Sequence, residues 1–186
     1  GGDLRAGDEG ARVTLAGWVA RRRDHGGLVF VDLRDQAGLV QLVFNPDEQA
    51  AAHATAHGLR AEYVVQAEGV VRARSPETVN PRLATGRIEV HVERLEVLST
   101  APVLPFGLDD DGVDETLRLR HRYLDLRRES MRRNIWVRFK LTQAIRRYLE
   151  ERGFWELETP ILYKSTPEGA REFLVPTSSH PGRFYA

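Results

Sequence analysis

Gly17-Trp18-Val19-Ala20-Arg21-Arg22-Arg23-Asp24-His25-Gly26-Gly27-Leu28-Val29-Phe30-Val31-Asp32-Leu33-Arg34-Asp35 decides the fold. It closes one apolar run, passes a turn and opens a second run. Residues 13–19 alternate apolar and small side chains, the period-two pattern of a half-buried strand. His25-Gly26-Gly27 is a turn signal, and residues 28–33 form the next strand. Asp35-Gln36-Ala37-Gly38 turns the chain again, and residues 39–44 make a third strand. Three arginines, Arg21 to Arg23, follow the first strand and place charge at its end.

Working outward, Pro46 opens an Ala-rich stretch to His57, ended by Gly58. This predicts a helix, with Asn45 as its N-terminal cap. Residues 63–72 and 87–98 read as strands four and five, with Ile88, Val90, Val92 and Leu95 facing the core. Three strands, a helix and two strands is the order of an OB-fold, a five-stranded β-barrel that often binds single-stranded nucleic acid. The loop of residues 74–86 and the one after strand one would flank its binding face. Phe30 and Gln41 would sit on neighbouring strands there, an aromatic to stack a base and an amide to read its edge. On spacing alone, Phe30 suits the core as well as a platform, and the arginine run suits a solvated surface.

Ala101-Pro102-Val103-Leu104-Pro105-Phe106 and the acidic Asp109-Asp110-Asp111-Gly112 break the strand pattern. We expect one domain over residues 1–100, a linker or hinge over 101–130, and a second domain from 131 to 186. Residues 115–128 suit either a helix or an extended hinge. Residues 131–152 are the clearest helix, with Ile135, Phe139, Thr142, Ile145 and Leu149 on one face. Gly153 would cap it, and residues 154–160 would form a strand ending at Pro160.

Composition narrows the classes. The chain has 186 residues, 41% hydrophobic and 29% charged, with 27 basic side chains balanced by 27 acidic ones. No global basic bias points to nucleic acid, but local patches set the field a ligand meets. With no Cys there is no disulfide framework and no Cys-based metal site, which suits a reducing cytoplasm. No apolar run approaches membrane-span length.

Several stretches resemble bacterial-type aspartyl-tRNA synthetases of class II. They are the run 17–35, Arg120-His121-Arg122-Tyr123-Leu124-Asp125-Leu126-Arg127-Arg128, Glu158-Thr159-Pro160-Ile161-Leu162, and Ser165-Thr166-Pro167-Glu168-Gly169-Ala170-Arg171-Glu172-Phe173-Leu174-Val175-Pro176. The resemblance covers essentially the whole chain. It implies an anticodon-binding OB-fold joined to the beginning of an α/β catalytic domain, an antiparallel sheet with helices. It also implies roles for individual residues. Phe30 would stack on the middle anticodon base, a uracil, and Gln41 would read that base's edge. Arg23, Arg74 and Asn80 would contact the anticodon loop, with Arg72 near them. His25, where many relatives carry Leu, would tolerate either third base and so admit both the aspartate and the asparagine tRNA. Glu168 would hold the aspartate ammonium, while Gly153, Phe154 and Pro160 would belong to a homodimer interface. Glu172 and Ser178 depart from the residues most common in the family.

The implied partners are tRNA, aspartate, ATP and Mg²⁺. The family's ATP-binding motifs and metal ligands match nothing in these 186 residues. No catalytic residue and no metal ligand is therefore expected here, and the chain alone is expected to keep RNA binding but not ligation. The rival expectation is a non-enzymatic OB-fold module that binds single-stranded RNA.

Overall fold

A computed structural model describes residues 1–164 and 172–185. The chain divides into two compact units, residues 1–107 and 108–186. The expected 101–130 linker is thus shared between them.

The first unit is a closed barrel of five strands: β1 (Arg12–His25), β2 (Leu28–Arg34), β3 (Leu39–Phe44), β4 (Val64–Ala73) and β5 (Ile88–Ser99). Around the barrel the order is β1-β2-β3-β5-β4, and β4 pairs back onto β1. Closure leaves no free sheet edge. Alternation supplies the core: Val29, Val31 and Leu33 from β2 meet Val40, Leu42 and Phe44 from β3 and Ile88, Val90 and Val92 from β5, all buried. Leu95 packs against this cluster from partial burial, because β5 is bulged opposite Glu68 and Gly69. A short helix α1 (Ala50–His57) adds Ala52 and Ala56 to the same core.

The structure revises three local readings. β1 does not end before the arginines. A bulge between Val19 and Arg21 shifts its period, and pairing with β2 continues to His25. The turn is then only Gly26-Gly27, both with positive φ (59° and 82°), as a tight two-residue hairpin requires. Finally, α1 starts four residues later than its Pro suggests. Asn45 accepts a hydrogen bond from the Asp47 amide (3.0 Å), closing a turn in place of capping the helix. No side chain caps α1, and Gly58 ends it with right-handed backbone.

In the second unit, two short helices lie within residues 115–128: α2 (Glu115–Arg120) and α3 (Arg122–Asp125). Asp114 caps α2 by accepting from the amides of Thr116 (2.9 Å) and Leu117 (3.4 Å). The fully buried Asp125 carboxylate gathers Arg118, Arg122 and Arg128 at 3.7, 2.5 and 3.5 Å. Three charged partners offset the cost of burying that anion. The long helix α4 (Glu129–Glu150) ends where Gly153, at φ 81°, donates to the Glu150 carbonyl while Phe154 donates to that of Leu149. This double closure is a Schellman cap. Ile135, Phe139, Ile145 and Leu149 are all exposed on α4.

Residues 154–160 form no strand, and no described strand pairs with them. An extended segment without a partner strand has no ladder to join. The strands of this unit among the described residues are β6 (Val175–Pro176) and β7 (Phe184–Tyr185), paired antiparallel.

The 74–86 loop is folded on itself. The Asn80 amide donates to the Gly86 carbonyl (3.0 Å), and the Gly86 amide donates to that of Leu83 (3.0 Å). A Cβ at Gly86 would lie 1.8 Å from the Asn80 carbonyl oxygen, so only glycine lets these backbones approach. Gly86→Ala should therefore lower the stability of the barrel by roughly 1–3 kcal/mol, the usual cost of overpacking, read as a lower urea midpoint.

Candidate nucleic-acid interface

One groove on the outer face of the barrel, about 730 Å³, collects the sequence-predicted readers. Strand register explains why. Across β1 and β2, Arg23 faces Phe30 and Arg21 faces Asp32. Across β2 and β3, Asp32 faces Gln41. Directly opposed residues share a sheet face, so Arg21, Arg23, Phe30, Asp32 and Gln41 line one wall. The folded 74–86 loop brings Arg74, Thr78, Asn80 and Leu83 to the other side, and His25 stands exposed on the β1–β2 hairpin.

The polar side chains form a continuous chain of contacts. The Asp32 carboxylate accepts from Arg23 (2.7 Å), which also donates to the Gln41 carbonyl oxygen (3.3 Å). The Gln41 amide nitrogen donates to Glu89 (3.0 Å), and Glu89 lies 3.7 Å from the Arg74 guanidinium. Glu89 reaches Gln41 because β3 and β5 run side by side in parallel, with Leu42 beside Val90. Phe30 is half-buried, so its ring is supported from below and open to the groove.

Arg74 is the most constrained member. Its side chain is 5% exposed; Nε donates to the Ile88 carbonyl (2.9 Å) and Nη1 to that of Thr78 (3.4 Å). Its buried Nη2 has no hydrogen-bond partner among the described residues. Burial pulls the pKa of this guanidinium below its ordinary value; Glu89 and Asp32 oppose that shift and Arg23 adds to it. Asn80 presents its side chain at the loop, where its Oδ1 accepts from the Arg82 amide (3.0 Å).

The hairpin under His25 is held from behind. Arg22 bonds both Asp24 and the His57 carbonyl, and His53 Nε2 lies 2.9 Å from the Gly27 carbonyl. The groove walls thus carry three arginines against two aspartates, around one aromatic face. That combination can attract a polyanion, stack a flat ring and read its edge.

The structure brings together Arg23, His25, Phe30, Gln41, Arg74 and Asn80. Arg72 is not among them: it points to Glu48 at 3.2 Å, away from the groove lining. Hydrogen bonding to Arg72 keeps the Glu48 carboxyl below its usual pKa. Sequence reading missed Asp32 and Glu89. Asp32 was within reach, two residues after Phe30 on the same strand face. Glu89 carried no local signal, since its partner lies 48 residues away.

Glu168 lies outside the described residues. Gly153 is at the α4 cap, and Phe154 and Pro160 are exposed. Among the described residues, no cluster of three or more His, Asp or Glu could hold a metal ion.

Comparison with known proteins places these features. Residues 13–98 match the family model "OB-fold nucleic acid binding domain", and residues 114–186 match "tRNA synthetases class II (D, K and N)". An aspartate–tRNA(Asp/Asn) ligase of Brachyspira hyodysenteriae is 55% identical over all 186 residues. The corresponding ligase of Moorella thermoacetica is 56% identical over the same span. The chain covers 32% and 31% of these two proteins, about a third of the length of the curated relatives it matches. Among solved structures, asparaginyl-tRNA synthetase from Pyrococcus horikoshii with asparaginyl-adenylate superimposes with a TM-score of 0.83. It is 28% identical, with 98% of this chain and 41% of that one covered. Groove, barrel topology and similarity along all 186 residues agree: the chain matches the anticodon-binding OB-fold and the start of the catalytic domain of class II aspartyl-tRNA synthetases.

Proposed function

We propose that this chain is the anticodon-reading part of an aspartate–tRNA ligase, which couples ATP to the attachment of aspartate to tRNA. The observation that carries the reading is the groove itself. A supported aromatic, Phe30, and an edge-reading amide, Gln41, stand side by side between arginines on an OB barrel. Arg23 and Arg74 supply the charge for the RNA strand, and Asn80 and His25 contact neighbouring nucleotides from the two lips. The similarity of all 186 residues to part of an aspartate–tRNA ligase favours this over a free-standing RNA-binding module, which would have no use for the 114–186 match.

On this reading, ligation, with its ATP and Mg²⁺, would fall outside the matched segment, which covers 32% of such a relative. In that longer protein, Glu168 would pair with the aspartate ammonium, a charge-assisted contact of useful strength. Gly153, Phe154 and Pro160 would pack against a second copy, and the enzyme would work in the cytoplasm. The 186-residue chain would retain anticodon binding without catalysis.

Two relatives named above carry both tRNA-Asp and tRNA-Asn in their names. With His25 at the hairpin, we read this protein as non-discriminating as well. The full-length ligase should charge an asparagine tRNA transcript well above background, and charging at background would contradict that reading.

Binding of the chain to aspartate tRNA, compared with a transcript whose middle anticodon uracil is replaced, tests the central reading. A loss of roughly 5- to 150-fold is expected, since a mismatched edge contact to one base costs about 1–3 kcal/mol. Equal binding to both would reduce the groove to a charge-driven RNA site. Phe30→Ala should weaken both transcripts by a similar factor, about 1–3 kcal/mol, because any base can stack on the ring.

A further inference from the structure

A side-chain amide can read a base edge only if its oxygen and nitrogen are not free to exchange places. Rotating the amide by half a turn swaps donor and acceptor, so an unconstrained glutamine suits two opposite edges equally. Gln41 is constrained at both atoms. Arg23 donates to its oxygen at 3.3 Å, and its nitrogen donates to Glu89 at 3.0 Å. A reversed amide would face its NH₂ to a guanidinium donor and its oxygen to a carboxylate. Both contacts would turn repulsive, inside a residue that is only 9% exposed. The constraint extends one step further, because Asp32 holds Arg23 at 2.7 Å.

We infer that Glu89, with Asp32 acting through Arg23, is a positioning residue that locks the Gln41 amide in one orientation and thereby sets which base the groove accepts; this rests on the anticodon-reading function proposed above. The lock leaves Gln41 one unused lone pair on oxygen and one unused N–H. A uracil stacked on Phe30 offers the complement, an N3–H beside a carbonyl oxygen. Cytosine in the same stacking orientation offers the reverse, a ring nitrogen lone pair beside an amino group. The same two atoms of Gln41 then meet like against like. The lock thus turns a general amide contact into a preference for the uracil edge. It is built before RNA arrives, so no ordering of Gln41 is needed on binding.

The test uses the 186-residue chain and anticodon stem-loop RNAs that differ only in uracil or cytosine at the middle position. Affinities are read by fluorescence anisotropy at one fixed salt concentration. The unaltered chain should prefer uracil by roughly 5- to 150-fold, the range for a well-made bidentate contact. Glu89→Gln offers an amide that can donate as readily as accept, so the Gln41 amide can reverse. The preference should then fall below about threefold, chiefly because cytosine binds better. A loss of fold would weaken both RNAs together and would not move this ratio.

If Glu89→Gln is folded by circular dichroism and keeps the full uracil preference, the inference is wrong. Should that variant not fold, Asp32→Asn probes the lock from the Arg23 side. A reduced ratio supports the inference, and an unchanged ratio overturns it. Absence of any uracil preference in the unaltered chain would instead overturn the anticodon reading itself, and the lock with it.

Discussion

The parallel pairing of β3 with β5 is the contact on which the rest depends. It sets Leu42 beside Val90 and Val43 beside His91, and it completes the hydrogen-bonded ring of the barrel. On the inner face it brings Leu42 and Val90 into one buried cluster. On the outer face it sets Gln41 against Glu89, two residues that are 48 positions apart in the chain. Core and recognition surface are therefore two sides of one strand pairing. Because side chains alternate with a period of two, a slip of one residue would send the apolar set outward and the groove inward. Burial of the core fixes the register, and the register fixes the groove.

That coupling explains why charged groups can sit so close together on the outer wall. Asp32, Arg23, Gln41, Glu89 and Arg74 alternate in character along one line, each satisfying the next. An isolated buried arginine would be costly, and burial does pull the Arg74 pKa down, but two carboxylates oppose that shift. Rigid strands hold one wall, and a loop closed around Gly86 holds the other. Binding energy then goes to the ligand and not to ordering the protein.

Much of this was legible in the sequence. The strands showed themselves where one face is buried and alternation is clean, as in β2 and β3. Phe30, Gln41, Arg23 and Arg74 are expected from the sequence to share one surface, and they do line one groove. What escaped reading has physical causes. The bulge after Val19 breaks the period-two pattern, so the arginines looked like a loop when they continue β1. Pro46 looked like a helix start, yet the Asn45 side chain had a competing local use in a turn. Residues 154–160 look like a strand in composition, but strand formation depends on a partner that no local signal encodes. Arg72 and Arg74 sit on one short stretch and look equivalent. Only the fold shows that one pairs with Glu48 and the other with Glu89. The identity of residues that position others, such as Glu89, is a tertiary fact by nature.

On this reading, a single-stranded RNA loop docks in the groove, with a base on Phe30 and its edge on Gln41. Nuclear magnetic resonance of the labelled chain, titrated with the anticodon stem-loop of aspartate tRNA, tests it most directly. The Phe30 ring, the Gln41 side-chain amide and the Arg74 Nε–H should shift together and saturate with one affinity. Movement confined to other surfaces, with these three signals unchanged at saturation, would contradict it.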